Sequence, residues 1–247
     1  MVLLADGLID LRLGRWQEVL ADVETCDSIV ADPPYSARTH EGQRTGSSIR
    51  MPTIGYSGIT ETDARWLSVE WCNRATSWAI VFCDHTAFRW HEQAWEDRNW
   101  LTFAPVFLKS NPTPRFSGDG PAFALEFILA ARRRDGAIKP GSLPAYYEHL
   151  IGGCADGNTG RTVAGAKPLP LMQAIIRDYT RPGDLVVDPF CGGGTTALAC
   201  AIEGRRCITS EMDPVTFEKA KKRLERGFTP SMFQRGPRVK AKQGSLV

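Results

Sequence analysis

The residues best suited to chemistry are Asp32-Pro33-Pro34-Tyr35, which follow the short apolar run Ser28-Ile29-Val30-Ala31. The run predicts a buried strand, and the strand must end here because neither proline can donate a hydrogen bond to a neighbour. Asp32 and Tyr35 are thereby presented at the carboxyl end of a strand, the edge where open α/β sheets bind ligands. A plain Asp-Pro turn would explain the same four residues, so the tetrapeptide alone leaves both interpretations open.

A second motif, Asp188-Pro189-Phe190-Cys191-Gly192-Gly193-Gly194-Thr195-Thr196, lies between a predicted strand and a predicted helix. Its glycines allow a ligand to approach the backbone closely, and the helix start offers free N–H groups. Glu211 ends the next predicted strand, about 20 residues after the glycines, a spacing that suits a ribose diol. The Phe-x-Gly-x-Gly spacing is neither a dinucleotide fingerprint nor a phosphate loop. Together these features favour a nucleoside-containing cofactor.

The composition is that of an ordinary globular domain, with 247 residues, 43% hydrophobic and 23% charged. A single α/β domain can reach this length. The net charge of +2 means that a nucleic-acid surface must come from local clustering of basic residues. The seven cysteines form no Cys-x-x-Cys pair, which indicates buried, reduced thiols of a cytosolic protein rather than disulfides or a zinc site. We also expect no secretion signal and no membrane span.

Hydrophobic periodicity places both motifs directly after strands that alternate with helices. Lys167-Pro168 opens one of these helices, where a proline is favourable, and Asp84 is expected to cap another. Predicted strands cover 8–13, 28–31, 77–83, 100–108, 123–131, 185–187 and 206–210, and predicted helices cover 16–23, 62–76, 84–97, 167–177, 197–202 and 217–224.

Three further stretches bear on function. The polar segment 36–60 is either a functional loop that closes over a substrate or a disordered insertion. Residues 132–165 begin with three arginines and combine basic, aromatic and glycine residues, which favours a nucleic-acid contact over a solvated face. Glu126 lies inside a predicted strand, where it needs a partner such as Arg115 or must face solvent. The basic tail 228–247 is expected to be flexible and to attract phosphates.

Taken together, the two motifs resemble those of the S-adenosylmethionine-dependent amino-methyltransferases of DNA, which pair D/N/S-P-P-Y/F with F-x-G-x-G. The DPPY motif comes first here, the order of the circularly permuted beta group of that family. Lys167-Pro168-Leu169-Pro170-Leu171 is similar to the group's K-P-x-x-L segment, and Glu211-Met212-Asp213 is similar to its ribose segment. The resemblance implies a Rossmann-like methyltransferase fold, mostly parallel with helices on both faces. It also implies a single catalytic domain over 1–227, with target recognition by 132–165.

By this resemblance the target base is flipped into a pocket, because its exocyclic amine is out of reach inside a duplex. Asp32 and the carbonyl of Pro33 would accept hydrogen bonds from that amine and steer its lone pair toward the methyl group. Tyr35 would stack on the base, a contact worth about 1–3 kcal/mol in comparable sites. The implied catalytic residues are Asp32, Pro33, Pro34 and Tyr35.

The resemblance also assigns the cofactor residues. Glu211 would bind the ribose hydroxyls, and Lys167 lies where the group contacts the cofactor carboxylate, with a solvated lysine as the alternative. Cys191 is expected to be a small filler, and no metal is needed because the positive sulfur already activates the methyl group. The residues expected to bind S-adenosylmethionine are Lys167, Asp188, Pro189, Phe190, Cys191, Gly192, Gly194, Thr195 and Glu211.

The expected substrate is double-stranded DNA, and Asp32 in place of a serine favours adenine N6 over cytosine N4. An RNA methyltransferase and a catalytically silent DNA-binding module remain as alternatives, and a homodimer is left open. One departure from the group concerns Gly14-Arg15-Trp16, which stands where the group has Gly-Asp. That acid meets the cofactor adenine in the group, so another side chain or backbone group is expected to hold the adenine here.

Overall fold

The structure is a computed structural model that describes residues 1–37, 58–113, 123–135, 143–148 and 166–227. Most of the predicted substrate loop (36–60), most of the candidate recognition region (132–165) and the whole basic tail (228–247) lie outside these residues, so those three predictions stay predictions. Within the described residues, no helix has the length and apolar character needed to cross a membrane.

Strands and helices alternate along most of the described chain, as the periodicity predicts. In order they are β1 (Val2–Leu4), β2 (Ile9–Leu13), α1 (Trp16–Val19), β3 (Cys26–Ala31), α2 (Glu61–Arg74), β4 (Ala75–Cys83), α3 (His85–Glu96), β5 (Trp100–Phe103), β6 (Val106–Thr113), β7 (Phe123–Arg133), β8 (Tyr146–Glu148), α4 (Leu169–Tyr179), β9 (Leu185–Asp188), α5 (Thr195–Ile202), β10 (Arg206–Glu211) and α6 (Pro214–Gly227).

The described strands form one mixed sheet in the order β1-β2-β10-β9-β3-β4-β7-β6-β8, and β5 also pairs with β7. Its central strands β2, β10, β9, β3 and β4 are parallel to one another. The remaining strands make the sheet less uniformly parallel than expected, because β7 runs antiparallel to β4, β5 and β6. Strand β1 likewise runs antiparallel to β2, to which a tight turn joins it.

Both faces of the sheet are covered, so its central strands are apolar on both sides. Ile29 and Ala31 of β3 pack in one core with residues of α1, α2 and α3, whereas Val30 packs in the other core with residues of α4, α5 and α6. The same alternation separates Ile80 from Val81 in β4. Burial on both faces explains the continuous apolar runs in the sequence.

Two predicted elements differ from the structure. The predicted strand 100–108 is divided into β5 and β6, and Pro105, which cannot continue a ladder, lies at the break. The predicted helix 16–23 ends at Val19, where the guanidinium of Arg12 donates a hydrogen bond to the Val19 carbonyl at 2.6 Å. Arg74 donates hydrogen bonds to the carbonyls of Leu20 and Val23 at 2.9 and 3.0 Å, which holds this segment in an irregular turn.

A buried histidine lies between α2 and α3. His91 is fully buried, and its Nδ1 lies 2.7 Å from the hydroxyl of Ser68. Burial disfavours the charged imidazolium and lowers the pKa of His91 to about 4, although the charge of Asp84 opposes the shift. The folded protein therefore keeps this ring neutral in mildly acidic solution, where an unfolded chain would protonate it.

This difference predicts an acid-sensitive stability. The neutral His91 ring contributes roughly 3 kcal/mol to the free energy of unfolding above the unfolded pKa of about 6.5. This contribution is lost as the pH falls toward 4. We expect His91→Gln to flatten the decline in unfolding free energy between pH 6.5 and 4, measured by urea denaturation. His85→Gln, at the exposed start of α3, is the control. An unchanged slope in His91→Gln would contradict the prediction.

Candidate active site

The two motifs meet at one edge of the sheet. Strands β3 and β9 are parallel neighbours, with Ser28 opposite Val186 and Ile29 opposite Val187. Because parallel strands end at the same edge, the motif after β3 and the motif after β9 emerge side by side. Glu211 ends β10, the next strand along, which pairs in parallel with β9. The structure thus brings the predicted catalytic and cofactor residues to one edge.

The DPPY segment is held in place from beyond its own strand. One oxygen of the buried Asp84 carboxylate accepts hydrogen bonds from the backbone N–H and the hydroxyl of Ser36, at 2.9 and 2.6 Å. The other oxygen caps α3 by accepting from the N–H groups of Thr86 and Ala87. The carbonyl of Tyr35 in turn accepts a hydrogen bond from Ile59 at 3.1 Å. The predicted helix cap is confirmed, and it has a second role in anchoring the motif.

The carboxylate of Asp32 is paired with a lysine from a distant part of the chain. Lys167 donates to both oxygens of Asp32, at 2.7 and 2.8 Å, and to the hydroxyl of Tyr35 at 3.1 Å. The Lys167 side chain is only 9% exposed, whereas that of Asp32 is 25% exposed. The solvated-lysine alternative is therefore wrong, and the hydrogen bonds of Lys167 go to the DPPY motif.

Glu126 extends this network to four charged groups. Its carboxylate lies 2.5 Å from the ammonium of Lys109 and 3.5 Å from that of Lys167, and its side chain is 12% exposed. The alternative that Glu126 faces solvent is wrong, and the other suggested partner, Arg115, lies outside the described residues. Alternation of positive and negative groups allows four charges to share a largely buried site.

The pKa values in this network are set by burial and pairing. Burial raises the pKa of Asp32, while attraction to Lys167 opposes that rise. Burial alone would lower the pKa of Lys167, but attraction to Asp32, Tyr35 and Glu126 outweighs it and holds the pKa well above its usual range. Burial alone would also raise the pKa of Glu126, but the two lysines lower it. Lys167 is therefore a permanent positive charge beside Asp32 and Tyr35.

The glycine turn is fixed by hydrogen bonds from its backbone N–H groups to the end of β10. Gly192 donates its N–H to Glu211 Oε2 at 2.9 Å, and Cys191 donates to the carbonyl of Ser210 at 2.8 Å. Gly194 adopts the left-handed region, with φ of 77°, directly before α5. A Cβ there would also lie 3.2 Å from Leu224, so the turn requires glycine for both conformation and space.

The acids around the turn differ in their surroundings. Burial raises the pKa of Asp188 to about 7, against hydrogen bonds from the Phe190 N–H and the Thr196 side chain. Burial also raises the pKa of Glu211, whose two oxygens accept from the N–H groups of Asp213 and Gly192. Each carboxylate oxygen has two lone pairs, so Glu211 keeps acceptor capacity for a ligand.

One supporting residue was missed from the sequence. Arg223 of α6 is buried and donates to the carbonyl of Gly193 at 2.8 Å and to the hydroxyl of Thr195 at 2.7 Å. It thereby joins the last helix to the glycine turn. Its only signal in the sequence is a basic residue on the apolar face of α6, immediately before the buried Leu224.

Gly14 and Arg15, which stand where the group has Gly-Asp, directly follow β2. The N–H of Gly14 donates to the carbonyl of Glu211 at 2.9 Å, and Arg15 is exposed at the start of α1. Leu13, which pairs in register with Glu211, is exposed, and so is Met212. Exposed apolar side chains therefore lie next to Glu211, and one of them, Leu13, is close in the chain to Arg15, which stands where the group has its acid.

Cys191 is buried within the turn, and burial raises the pKa of its thiol. Because only the thiolate is a good nucleophile, this environment suits a small packing residue. In the described ranges no cluster of His, Cys, Asp and Glu side chains is arranged to hold a metal ion.

Comparison with known proteins places this chain in a family. The N6_N4_Mtase family, described as DNA methylase, matches residues 26–222. The chain therefore belongs to this family of DNA methylases, as the DPPY and glycine motifs predict. It is 26% identical over 224 residues to the type II methyltransferase M2.MboI of Moraxella bovis, with 80% of each chain covered.

Solved structures share the fold. The M1.HpyAVI–SAM complex superposes with a TM-score of 0.68 at 23% identity, covering 87% of this chain and 98% of the other. PvuII DNA methyltransferase, which is cytosine-N4-specific, superposes with a TM-score of 0.62 at 15% identity, covering 89% and 92%. The predicted Rossmann-like methyltransferase fold is thus confirmed.

The anchoring role of Asp84 gives a test of how the site is built. Asp84→Ala removes the cap of α3 and both hydrogen bonds to Ser36, so we expect a loss of about 3 kcal/mol in unfolding free energy. Urea denaturation at neutral pH measures it. Asp97→Ala, exposed at the other end of α3, is the matched control and should stay within about 0.5 kcal/mol of the wild type. Equal stability of the two variants would contradict this account.

Proposed function

We propose that this protein transfers a methyl group from S-adenosylmethionine to the exocyclic amine of a base flipped out of double-stranded DNA, with adenine N6 as the target. The observation that carries the proposal is the adjacency of β3 and β9, which puts the DPPY segment beside the glycine turn. A base held by the first and a methyl donor held by the second would meet at one sheet edge.

The residues of the DPPY segment suit the activation of an amine. The lone pair of an exocyclic amine is delocalised into its ring, so the amine must be oriented by fixed acceptors. In the proposed complex Asp32 and the Pro33 carbonyl each accept a hydrogen bond from the N–H groups of this amine, and the ring of Tyr35 stacks on the base. Asp84 and Ser36 hold this segment before the substrate arrives, which is the preorganisation that electrostatic catalysis requires.

The glycine turn fits a nucleoside cofactor. In this proposal the backbone of Phe190, Gly192 and Gly194 approaches the methionine portion, and Glu211 offers its remaining lone pairs to the ribose. The exposed Leu13 and Met212 offer apolar contacts to the adenine in place of the absent acid. S-adenosylmethionine supplies a methyl group already activated by its positive sulfur, so the protein has only to bind and orient the two partners.

Adenine N6 is preferred because the motif begins with Asp32 rather than serine. Cytosine N4 is the main alternative, since the cytosine-specific PvuII enzyme shares the fold. An RNA substrate is less favoured because RNA enzymes with related motifs usually place the glycine motif first. A silent DNA-binding module is less favoured because both motifs are intact. We place the activity in the cytoplasm of a bacterial or phage-infected cell, and a homodimer would allow the candidate recognition region to be shared.

The deciding experiment incubates unmethylated DNA with the protein and labelled S-adenosylmethionine, then digests the DNA and separates its nucleosides by mass spectrometry. We expect N6-methyladenine. N4-methylcytosine would overturn the base assignment. Binding of the cofactor without any labelled DNA nucleoside would favour RNA, and failure to bind the cofactor in calorimetry would favour the silent module.

The role of Asp32 is tested by Asp32→Ala. Loss of the acceptor should lower the methyl-transfer rate by about 100- to 1000-fold, as for other fixed groups that stabilise developing charge. Cofactor affinity measured by calorimetry should change less than about threefold, because the glycine turn is untouched. Asp97→Ala, on an exposed face, serves as the control for both measurements. Wild-type turnover in Asp32→Ala would rule out the mechanism.

A further inference from the structure

The ammonium of Lys167 occupies the place that the proposed mechanism gives to the target amine. It donates to both oxygens of Asp32, at 2.7 and 2.8 Å, and lies 5.2 Å from the centre of the Tyr35 ring. A flipped base would need the same carboxylate and the same ring face. Lys167 must therefore give up at least one of its bonds to Asp32 when a base arrives.

An alternative anion for this ammonium is already present. Glu126 Oε2 lies 3.5 Å from the Lys167 ammonium, is buried and accepts no hydrogen bond of normal geometry among the described residues. The other oxygen, Oε1, is held by Lys109 at 2.5 Å. Glu126 Oε2 is therefore within ion-pair distance of Lys167 but has no close hydrogen bond from it. A buried carboxylate oxygen is stabilised by such a bond, and a short movement of the lysine would supply it.

We propose that Glu126 is a positioning residue, which receives the Lys167 ammonium when the base takes over Asp32. This inference rests on the proposed function. A shift of less than about 1 Å converts the 3.5 Å separation into a normal hydrogen bond. The lysine stays paired with a carboxylate throughout, and Asp32 exchanges the ammonium donor for the N–H donors of the amine. Lys109, the more exposed partner, holds Oε1 of Glu126 and thereby keeps Oε2 directed at Lys167.

The surroundings of Lys167 fit a short movement rather than an escape to solvent. Its ammonium also lies 5.0 Å from the centre of the Phe82 ring, and its side chain is 9% exposed. A rotation toward water would strip the charge of its aromatic and anionic contacts. Movement between two carboxylates keeps the ammonium beside an anion.

The test is a double-mutant cycle with Glu126→Gln and Lys167→Met. Single-turnover methyl transfer is measured against DNA concentration, and the limiting rate is divided by the half-saturating concentration. We expect Glu126→Gln to lower this ratio about tenfold, because the ammonium keeps competing for Asp32. In the Lys167→Met background the same change should cost less than about twofold, since there is no ammonium to receive.

Cofactor affinity separates this role from a merely structural one. Glu126→Gln should bind S-adenosylmethionine in calorimetry as the wild type does, and Glu225→Gln on the exposed face of α6 should match the wild type in every measurement. The inference is wrong if Glu126→Gln costs nothing, costs the same in both backgrounds, or weakens cofactor binding as much as transfer. Absence of methyl transfer by the wild type would instead refute the proposed function.

Discussion

The parallel pairing of β3 with β9 is the constraint on which the rest of the site depends. These strands are far apart in the chain, yet Ile29 lies opposite Val187 in the centre of the sheet. Each strand has an apolar core on both faces, so a shift in register would move side chains packed in one core into the other. The relative position of the two motifs is therefore set by the packing of the whole domain.

Polar side chains from neighbouring elements then fix what the strands bring together. Asp84 joins the end of β4 to the DPPY segment, and Arg223 joins α6 to the glycine turn. Both are buried, and each satisfies backbone groups that an irregular turn would otherwise leave without partners. Side chains from the surrounding elements thus hold both segments in place.

Four charged side chains form a network beside the DPPY segment. Lys109, Glu126, Lys167 and Asp32 alternate in sign, which makes their burial affordable without a bound ligand. The arrangement pairs Asp32 with a lysine that is 135 residues away in sequence.

The sequence by itself determined most of the strands and both motifs, because prolines, glycines and apolar runs act through local backbone geometry and periodicity. The resemblance of the two motifs also indicated the family. It predicted that Asp84 caps a helix, and it marked Glu126 as a carboxylate in need of a partner. Only the tertiary structure decided that Asp84 also holds Ser36, that Arg223 supports the glycines, and that Lys167 pairs with Asp32. These contacts join residues far apart in the chain, and no local pattern specifies which distant charges will meet once the sheet has formed.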